Sequence, residues 1–340
     1  MLAIHHRPKS FSDKWIDYCN RYNIPFKEVN CYSSDIIEQI RNCDGLMWHW
    51  SHLDPKAKLF ARQLTFSLEK MGKKVFPDSN TCWHYNDKVG QKYLLEAIGA
   101  PLVPSYVLYS KKEALKWIGK TTFPKVFKTR CGASSSNVVL VKNEKHAKLL
   151  IKKAFGKGFS PLNRFSLFKD RIWHIRRDRD LSSLIGLSKG FVRLFIPSSY
   201  EKKTNREKNY IYFQNYVPNN NFDIRVHVIG NRAVAVKRFV RKNDFRASGS
   251  GKIIYRKENI NLGCIKTAFD LSKKIQSQCM GYDFVFEREK IFLLEISYAF
   301  PINFYFQCPG YWTPDLNWHE DEVIPEYFMI EEFLKSLNGQ

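Results

Sequence analysis

The chain has 340 residues, 44% of them hydrophobic, and carries a formal net charge of +22. This length accommodates two domains or one large multi-lobed domain, and the apolar content is typical of packed cores, which excludes a disordered chain. No apolar run reaches the roughly 20 residues of a membrane-spanning helix, and the N-terminal residues lack the basic-then-apolar order of a secretion signal. We therefore expect a cytoplasmic protein without a membrane span.

The positive charge indicates an anionic partner but leaves its class open: a nucleotide, a nucleic acid, an acidic glycan or a membrane surface. A compositional bias towards lysine explains part of the excess. No helix-turn-helix pattern, aromatic-rich RNA motif or basic tail accompanies the charge, so a nucleic-acid partner is disfavoured. The eight cysteines form no CxxC pair and no metal-finger spacing, which favours reduced thiols over disulfides or a zinc site.

Residues 1–80 alternate short strands and helices, which predicts a small parallel α/β sheet. The predicted strands cover residues 2–5, 26–30, 45–50 and 74–76. The predicted helices cover residues 12–22, 34–42 and 55–71. No GxGxxG motif is present, so no dinucleotide fingerprint is expected. His49 and His52 in the WHWSH segment lack a third ligand at a suitable spacing, which favours a packing role over a metal site.

The middle of the chain mixes helices with β-hairpins instead of continuing this alternation. Helices are predicted at residues 87–99, 111–118, 144–155 and 260–277. Strands are predicted at residues 123–129, 137–142, 210–217, 222–229 and 232–240. The intervening residues 163–209 are less regular and carry twelve Lys and Arg against five Asp and Glu. This basic segment could contact an acidic glycan, or it could be a solvated surface.

The segment GYDFVFEREKIFLLEIS predicts a β-hairpin that turns at residues 288–290. Folding about Glu289 places Asp283 opposite Glu295, with Ser297 on the same face. The same face is predicted to carry Val285, Ile291 and Leu293. Two acids on an apolar face repel each other and are costly to bury, and a bound Mg²⁺ would relieve that cost. The alternative is a solvated edge hairpin with ordinary surface acids.

The loop RCGASSS at residues 130–136 lies between two predicted strands, which excludes a Walker A arrangement, whose glycines open a helix. Its backbone amides and hydroxyls could still fold over phosphates, although an ordinary flexible hairpin would look the same. Lys128 shares a predicted strand face with Val126 and is placed to hold a phosphate oxygen as a point charge. Lys88, at the start of a predicted helix, is a second candidate phosphate contact, with a solvent-exposed lysine as the alternative.

Two of the later strands carry candidate nucleotide contacts. The FQNYVP segment ends its strand with backbone groups that could pair with an adenine edge, and with Tyr216 or Val217 to pack on the ring. In FDIRVHV, Asp223, Arg225 and His227 alternate with apolar residues, so Asp223 could accept from a ribose hydroxyl. The alternative is an ion pair of Asp223 with Arg225 on an exposed face.

Three arginines follow in KRFVRKNDFRASGSGK, close to a loop of small residues. They are Arg238, Arg241 and Arg246. Clustered guanidiniums near a metal–carboxylate pair stabilise the negative charge that develops on a transferring phosphate. Solvated loop charges are the alternative.

The order of these elements resembles the ATP-grasp superfamily, and the stretch FQNYVPNNNFDIRVHVIGNRAVAVKRFVRKNDFR, with GYDFVF and LLEIS, resembles its RimK-like carboxylate–amine ligase branch. The resemblance covers residues 86–297. It implies an α/β protein, α+β in its second part: a pre-ATP-grasp, Rossmann-like parallel-sheet domain at residues 1–84 and an ATP-grasp domain at residues 85–340. The two lobes of that domain, near residues 103–216 and 217–340, are expected to clamp Mg·ATP.

The resemblance also implies roles for individual residues. The ATP phosphates would be contacted by Lys88 and Lys128 and covered by Gly132, Ala133, Ser134, Ser135 and Ser136. The adenine and ribose would be held by Gln214, Asn215, Tyr216, Val217 and Asp223. Mg²⁺, or Mn²⁺ as the alternative metal, would be bound by Asp283, Glu295 and Ser297. Phosphate or an acyl-phosphate intermediate would be stabilised by Arg238, Arg241 and Arg246.

The sequence departs from the family pattern at three places. Ser297 stands where the family usually has Asn, two residues after the metal-binding glutamate. Gln214 stands where many members have Glu, which affects the expected adenine contact. The tail after Phe300 is less typical, and it is similar to the ending of ATP-grasp proteins associated with bacterial surface-polysaccharide synthesis.

The implied reaction activates a carboxylate with the γ-phosphate of ATP and lets an amine attack the acyl phosphate, which would make the protein an ADP-forming carbon–nitrogen ligase. The expected carboxylate belongs to a small molecule or to a uronic acid of a surface polysaccharide. Two alternatives stay open: an amino-acid ligase acting on a protein or peptide, and a non-catalytic nucleotide-binding regulatory protein. A homodimer is an open alternative to a monomer.

Overall fold

The computed structural model describes residues 1–131, 137–164, 168, 172, 196, 201, 204–240, 245, 246 and 251–339. The chain divides into two compact units. The first unit comprises Met1–Tyr85, Leu94–Pro101 and Asn219–Gln340, and the second comprises Asn86–Tyr93 and Leu102–Pro218. Within the described ranges, no helix combines the length and the apolar character that crossing a membrane requires.

The first unit begins with a four-stranded parallel sheet, which confirms the sequence prediction. Its strands are β1 (Leu2–Ile4), β2 (Phe26–Glu28), β3 (Gly45–Met47) and β4 (Lys74–Phe76), in the spatial order β2-β1-β3-β4. Its helices are α1 (Phe11–Arg21), α2 (Ile36–Ile40), α3 (Pro55–Lys70) and α4 (Ser79–Cys82). Capping side chains fix where three of these helices start, because Ser10, Asp54 and Asp78 accept hydrogen bonds from first-turn N–H groups.

The second unit contains a four-stranded antiparallel sheet with helices on one face. Its strands are β5 (Ser105–Leu108), β6 (Lys125–Lys128), β7 (Val139–Val141) and β8 (Ile211–Asn215), in the order β5-β8-β6-β7. The helices of this part of the chain are α5 (Lys88–Ala97), α6 (Lys111–Ile118) and α7 (Glu144–Ala154). Phe127 and Phe213 pack with Ile118 and Ile151 in the core between sheet and helices. Since side chains alternate along a strand, the neighbours of Phe127 face the opposite side.

A larger antiparallel sheet completes the first unit. Its strands are β9 (Phe222–Ile229), β10 (Arg232–Phe239), β11 (Ile253–Ile254), β12 (Cys279–Glu287), β13 (Lys290–Ser297), β14 (Gly310–Trp312) and β15 (Trp318–Glu320). The spatial order is β13-β12-β9-β10-β14-β15, and β11 also pairs with β10. Its helices are α8 (Leu262–Ile275) and α9 (Pro325–Leu337), with a 3-10 turn at Lys257–Asn259. The sheet therefore places β9 between the carboxylate hairpin and β10.

One hydrophobic cluster joins the two sheets of the first unit. It contains Phe76 from the parallel sheet, Val236 from the antiparallel sheet and Phe333 from α9. Each fully buried side chain of this kind contributes roughly 1.5–3 kcal/mol relative to an exposed one. The shared core explains why residues 1–85 and 219–340 form a single unit.

Some elements were not predicted from the sequence. They are β5, β11, β14, β15, α4 and α9. Strands of two to four residues show too little alternation to be recognised. Most of the basic segment at residues 163–209 lies outside the described residues, so its predicted contact with an acidic glycan stays a prediction.

Candidate active site

The hairpin formed by β12 and β13 brings the two acids among the predicted metal ligands face to face. Asp283 lies directly opposite Glu295, as predicted, and Gly281 lies opposite Ser297. The predicted three-residue turn was wrong, because Glu287 already pairs with Lys290 and the loop contains only Arg288 and Glu289. A bulge then shifts the register by one residue between Phe284 and Asp283, and this shift restores the predicted acid pair.

The same bulge changes which apolar residues accompany the acids. Directly opposed residues share a face of the sheet. Leu293 pairs with Phe284 and Ile291 pairs with Phe286, so both lie on the face opposite to Asp283. Their predicted place beside the acids was therefore wrong, because the prediction assumed an uninterrupted ladder. Val285 keeps its predicted face.

Two arginines on neighbouring strands bind the acids of this face. Arg225 on β9 lies opposite Asp283, and its Nε and Nη2 donate to Oδ1 at 2.5 Å and to Oδ2 at 2.6 Å. Arg238 on β10 lies opposite Asp223, and its Nε and Nη2 donate to that carboxylate at 2.7 Å and 2.6 Å. Nη2 of Arg238 is also 3.1 Å from Oδ2 of Asp283. The four side chains form a buried network of alternating charge.

This network corrects the alternative reading of β9 as a strand with an exposed ion pair. Asp223 pairs with Arg238, whereas Arg225 pairs with Asp283. Asp283 is only 5% exposed, which also rules out the solvated-hairpin alternative for this acid. Burial alone would raise the pKa of Asp283, but the guanidiniums of Arg225 and Arg238 outweigh it and hold the pKa well below its usual range. Asp283 is therefore a carboxylate at neutral pH.

A buried histidine continues the polar face of β9. His227 Nε2 lies 3.1 Å from the carbonyl oxygen of Tyr298, and Nδ1 lies 3.2 Å from the hydroxyl of Tyr305. Because a carbonyl only accepts, Nε2 carries the proton and Nδ1 accepts from Tyr305. Burial and the nearby charge of Arg225 lower the pKa of His227 to about 3, so the ring is neutral. A Cβ on Gly281 would lie 2.5 Å from Nδ1, so only glycine fits beneath the imidazole.

The donor set on this face suits a hard divalent cation. Asp283 and Glu295 present oxygen ligands, and a carboxylate has about four lone-pair sites, so the arginine contacts leave acceptor capacity on Asp283. Ser297 Oγ is already used locally, since it donates to the carbonyl of Ala299 at 3.0 Å. Among the residues that the structure describes, no three His, Cys, Asp or Glu side chains gather into a metal site. The pair therefore fits Mg²⁺ that receives further ligands from a substrate.

The second unit carries the predicted nucleotide contacts on β6 and β8. Lys128 is buried and alternates with Phe127, so it shares the face of Val126 as predicted. Gln214 is completely buried, and its Nε2 donates to Ser105 Oγ at 3.0 Å. Asn215 accepts from Lys125 Nζ at 2.6 Å. Both Gln214 and Asn215 thus use side-chain groups to fix the sheet.

A second charged cluster, not anticipated from the sequence, lies beside Lys88. Asp87 accepts from the N–H groups of Val89 and Gly90 and so caps α5, which begins at Lys88. Arg130 Nη1 lies 3.3 Å from Asp87. The backbone N–H of Arg130 donates to the hydroxyl of Tyr210 at 2.6 Å. This cluster fixes Arg130, the first residue of the predicted phosphate loop.

Several predicted site residues cannot be placed. Gly132, Ala133, Ser134, Ser135, Ser136 and Arg241 lie outside the described residues. Arg246 is described and half-buried, and Tyr216 and Val217 follow β8. Their roles, like the phosphate role of Lys88 and Lys128 and the ribose role of Asp223, stay predictions.

Comparisons with known proteins agree with this architecture. Residues 195–301 match the model of the RimK-like ATP-grasp domain, a range that contains Asp223, Arg238, Asp283 and Glu295. No curated protein matches the sequence significantly.

Solved structures show the same fold at low sequence identity. D-alanine–D-alanine ligase from Bacillus anthracis has a TM-score of 0.55 and 12% identity over 99% of this chain and 98% of that chain. A RimK domain ATP-grasp protein from Sphaerobacter thermophilus has a TM-score of 0.53 and 11% identity over 87% and 89%. N5-carboxyaminoimidazole ribonucleotide synthetase from Thermotoga maritima has a TM-score of 0.56 and 13% identity over 98% and 75%. The chain therefore shares its mixed α/β fold with solved ATP-grasp proteins, and its residues 195–301 match a RimK-like ATP-grasp domain.

Proposed function

We propose that the protein is an ATP- and Mg²⁺-dependent, ADP-forming ligase that joins a carboxylate to an amine. The observation that carries this proposal is the facing pair Asp283–Glu295 with two guanidiniums on the same buried face. Negative charge builds up on the transferring phosphoryl group, and fixed cations in a dry site stabilise it most effectively. The match to the RimK-like ATP-grasp domain supports the same chemistry.

The residues of the first unit divide the work between metal and phosphate. Mg²⁺ would supply charge neutralisation at the phosphates when bound by Asp283 and Glu295. The contacts of Arg238 with Asp223 and Asp283 use Nε and Nη2, which leaves Nη1 to donate to a phosphate oxygen. Arg225 holds Asp283 in one orientation through two parallel hydrogen bonds. Asp223 positions Arg238 through two hydrogen bonds. This role of the Asp223 carboxylate would compete with a direct contact to the ribose.

The balance of the reaction is simple. The substrate carboxylate attacks the γ-phosphorus of ATP, the bond to the β-phosphate oxygen breaks, and ADP leaves. The amine then attacks the acyl carbon, inorganic phosphate leaves, and the amine nitrogen releases a proton. In this scheme Lys88 and Lys128 contact the ATP phosphates, and the chain around Gln214 to Val217 contacts the adenine.

For the acid we propose a saccharide carboxylate such as a uronic acid. The tail after Phe300 and the net charge of +22 both favour an acidic glycan over a neutral acceptor. An amino-acid ligase acting on a protein or peptide is the alternative within the same chemistry.

An ADP-release screen tests the proposal directly. Protein, ATP and Mg²⁺ are incubated with pairs of uronic acids or amino acids and amines, and the condensation product is identified by its mass. Glu295→Gln should abolish ADP release while the protein stays folded. Tight ATP binding with no ADP release in any pair would instead favour a nucleotide-binding regulatory protein.

A further inference from the structure

Two loops at the carboxyl edge of the parallel sheet lie against each other in the first unit. One follows β1 and contains Arg7, and the other follows β3 and contains His49 and Trp50. Their contact is direct, because the N–H of Phe11 donates to His49 Nδ1 at 3.2 Å and the two rings stack at 3.7 Å. Ligands of open parallel sheets commonly bind at this edge, where the loops of neighbouring strands converge.

Two residues of these loops and Arg62 on α3 hold buried N–H donors without acceptors among the described residues. Nε of Arg7 is buried without an acceptor, and the Arg7 side chain forms no ion pair within the described part of the chain. Trp50 is 2% exposed, and its Nε1 likewise has no acceptor among the described residues. Arg62 donates from Nη2 to the carbonyl of Tyr85 at 2.7 Å, while its Nε is buried and has none there. Buried donors without acceptors are costly, so an oxygen-bearing ligand would stabilise this arrangement.

Two of these donors, Trp50 and Arg62, lie beside Tyr85. The ring of Trp50 lies 4.9 Å from that of Tyr85, and the guanidinium of Arg62 lies 5.7 Å from the ring of Trp50. Burial raises the pKa of Tyr85 and Tyr298, and the positive charge of Arg7 partly offsets this rise in both. Arg7 therefore lies within electrostatic reach of the same tyrosines.

Tyr298 ties this cluster to the acid pair of the same unit. Its hydroxyl donates to the carbonyl of Trp50 at 3.2 Å, and its own carbonyl accepts from His227. Tyr298 directly follows Ser297, which lies on the strand that carries Glu295. Tyr298 thus links the donor cluster to β13, the strand that carries Glu295, one of the proposed metal ligands.

We propose that Arg7, Trp50 and Arg62 bind an oxyanion of the carboxylate-bearing substrate. This inference rests on the proposed function only in identifying the bound oxyanion as part of the substrate. The guanidiniums supply charge, and the indole N–H supplies a single directed hydrogen bond. The ligand chemistry is a carboxylate or a phosphate group of the substrate.

Calorimetric titration of the nucleotide-free protein tests this site without turnover. The probes are D-glucuronate, L-glutamate and inorganic phosphate, with D-glucose as the neutral control, and comparing them identifies the type of oxyanion. The wild type should bind at least one oxyanion and not glucose. Arg7→Gln and Trp50→Phe should each weaken that binding at least tenfold, and Arg41→Gln should not, because Arg41 is an exposed guanidinium already paired with Glu38.

The outcomes separate this inference from the proposed ligase activity. Binding that depends on Arg7 and Trp50, in a protein that releases no ADP with any acid, would support the site and contradict the ligase. ADP release with an unchanged KM for the acid in both variants would overturn the site and leave the ligase intact. Failure of all three oxyanions to bind the wild type would also overturn the site. Thermal melting shows whether each variant is folded. If Arg7→Gln does not fold, Trp50→Phe still tests the site.

Discussion

Replacement of Asp283 by Asn should destabilise the protein far more than replacement of Glu295 by Gln. Asp283 is 5% exposed and accepts from Arg225 at 2.5 and 2.6 Å and from Arg238 at 3.1 Å. Removing one partner of a buried ion pair typically costs about 3–5 kcal/mol, because the remaining charge is left uncompensated. Glu295 is half-buried on the outermost strand of the sheet, so Glu295→Gln should cost about 0–1 kcal/mol.

Urea unfolding followed by tryptophan fluorescence measures both changes in the free energy of unfolding. A double-mutant cycle of Asp283→Asn with Arg225→Gln isolates their interaction, and we expect a coupling energy of at least about 2 kcal/mol for residues in direct contact. The two single variants of this cycle, Asp283→Asn and Arg225→Gln, should lose Mg-dependent ADP release. Additive effects in the cycle, or equal stability of Asp283→Asn and the wild type, would show that the buried network does not exist in solution.

Three further predictions follow from the same face of the sheet. Mg²⁺ alone should not raise the melting temperature, whereas Mg²⁺ with ATP should, because two arginines already neutralise Asp283 and the phosphates would supply the missing ligands. Equal stabilisation by the free ion would contradict this. Gly281→Ala should cost about 1–3 kcal/mol in urea unfolding, since its Cβ would lie 2.5 Å from His227, while Gly119→Ala, whose nearest neighbour is 3.7 Å away, should be neutral. The free energy of unfolding should fall by up to about 2.7 kcal/mol per pH unit below pH 6.5. Burial lowers the pKa of His227 and of His49 to about 3 in the folded protein, so between pH 6.5 and about 3 only the unfolded state takes up the two protons. His227→Gln should halve the dependence of the free energy of unfolding on pH. An unchanged dependence would show that His227 is not a buried neutral histidine.

The sequence predicted the acid pair because the information for it is local. Strand alternation and a nearby turn suffice to oppose Asp283 and Glu295 in one hairpin. The turn itself was misplaced, since nothing in the residue pattern announces a bulge that adds one residue to β13. Two local errors therefore cancelled at the acids and did not cancel at Leu293 and Ile291.

The arginine network could not be predicted because it depends on non-local strand order. Arg225 and Asp223 are close in sequence and share a face, which suggested that they pair with each other. Directly opposed residues on neighbouring strands are closer than next-but-one residues on the same strand. Since β9 lies between β12 and β10, Asp223 pairs with Arg238 on β10 and Arg225 pairs with Asp283 on β12 instead. Likewise, Tyr305 could not be assigned to the site from its position in an atypical tail.

The tail after Phe300 is part of the support of the proposed active site. β14 pairs with β10, so the tail contributes a further strand to the same antiparallel sheet. The hydroxyl of Tyr305 donates to His227, whose ring lies on the face that also carries Arg225. Because Arg225 orients Asp283, a change in the tail can alter this proposed metal ligand without contacting it. The least typical segment of the sequence therefore lies where it can adjust the site to a particular substrate.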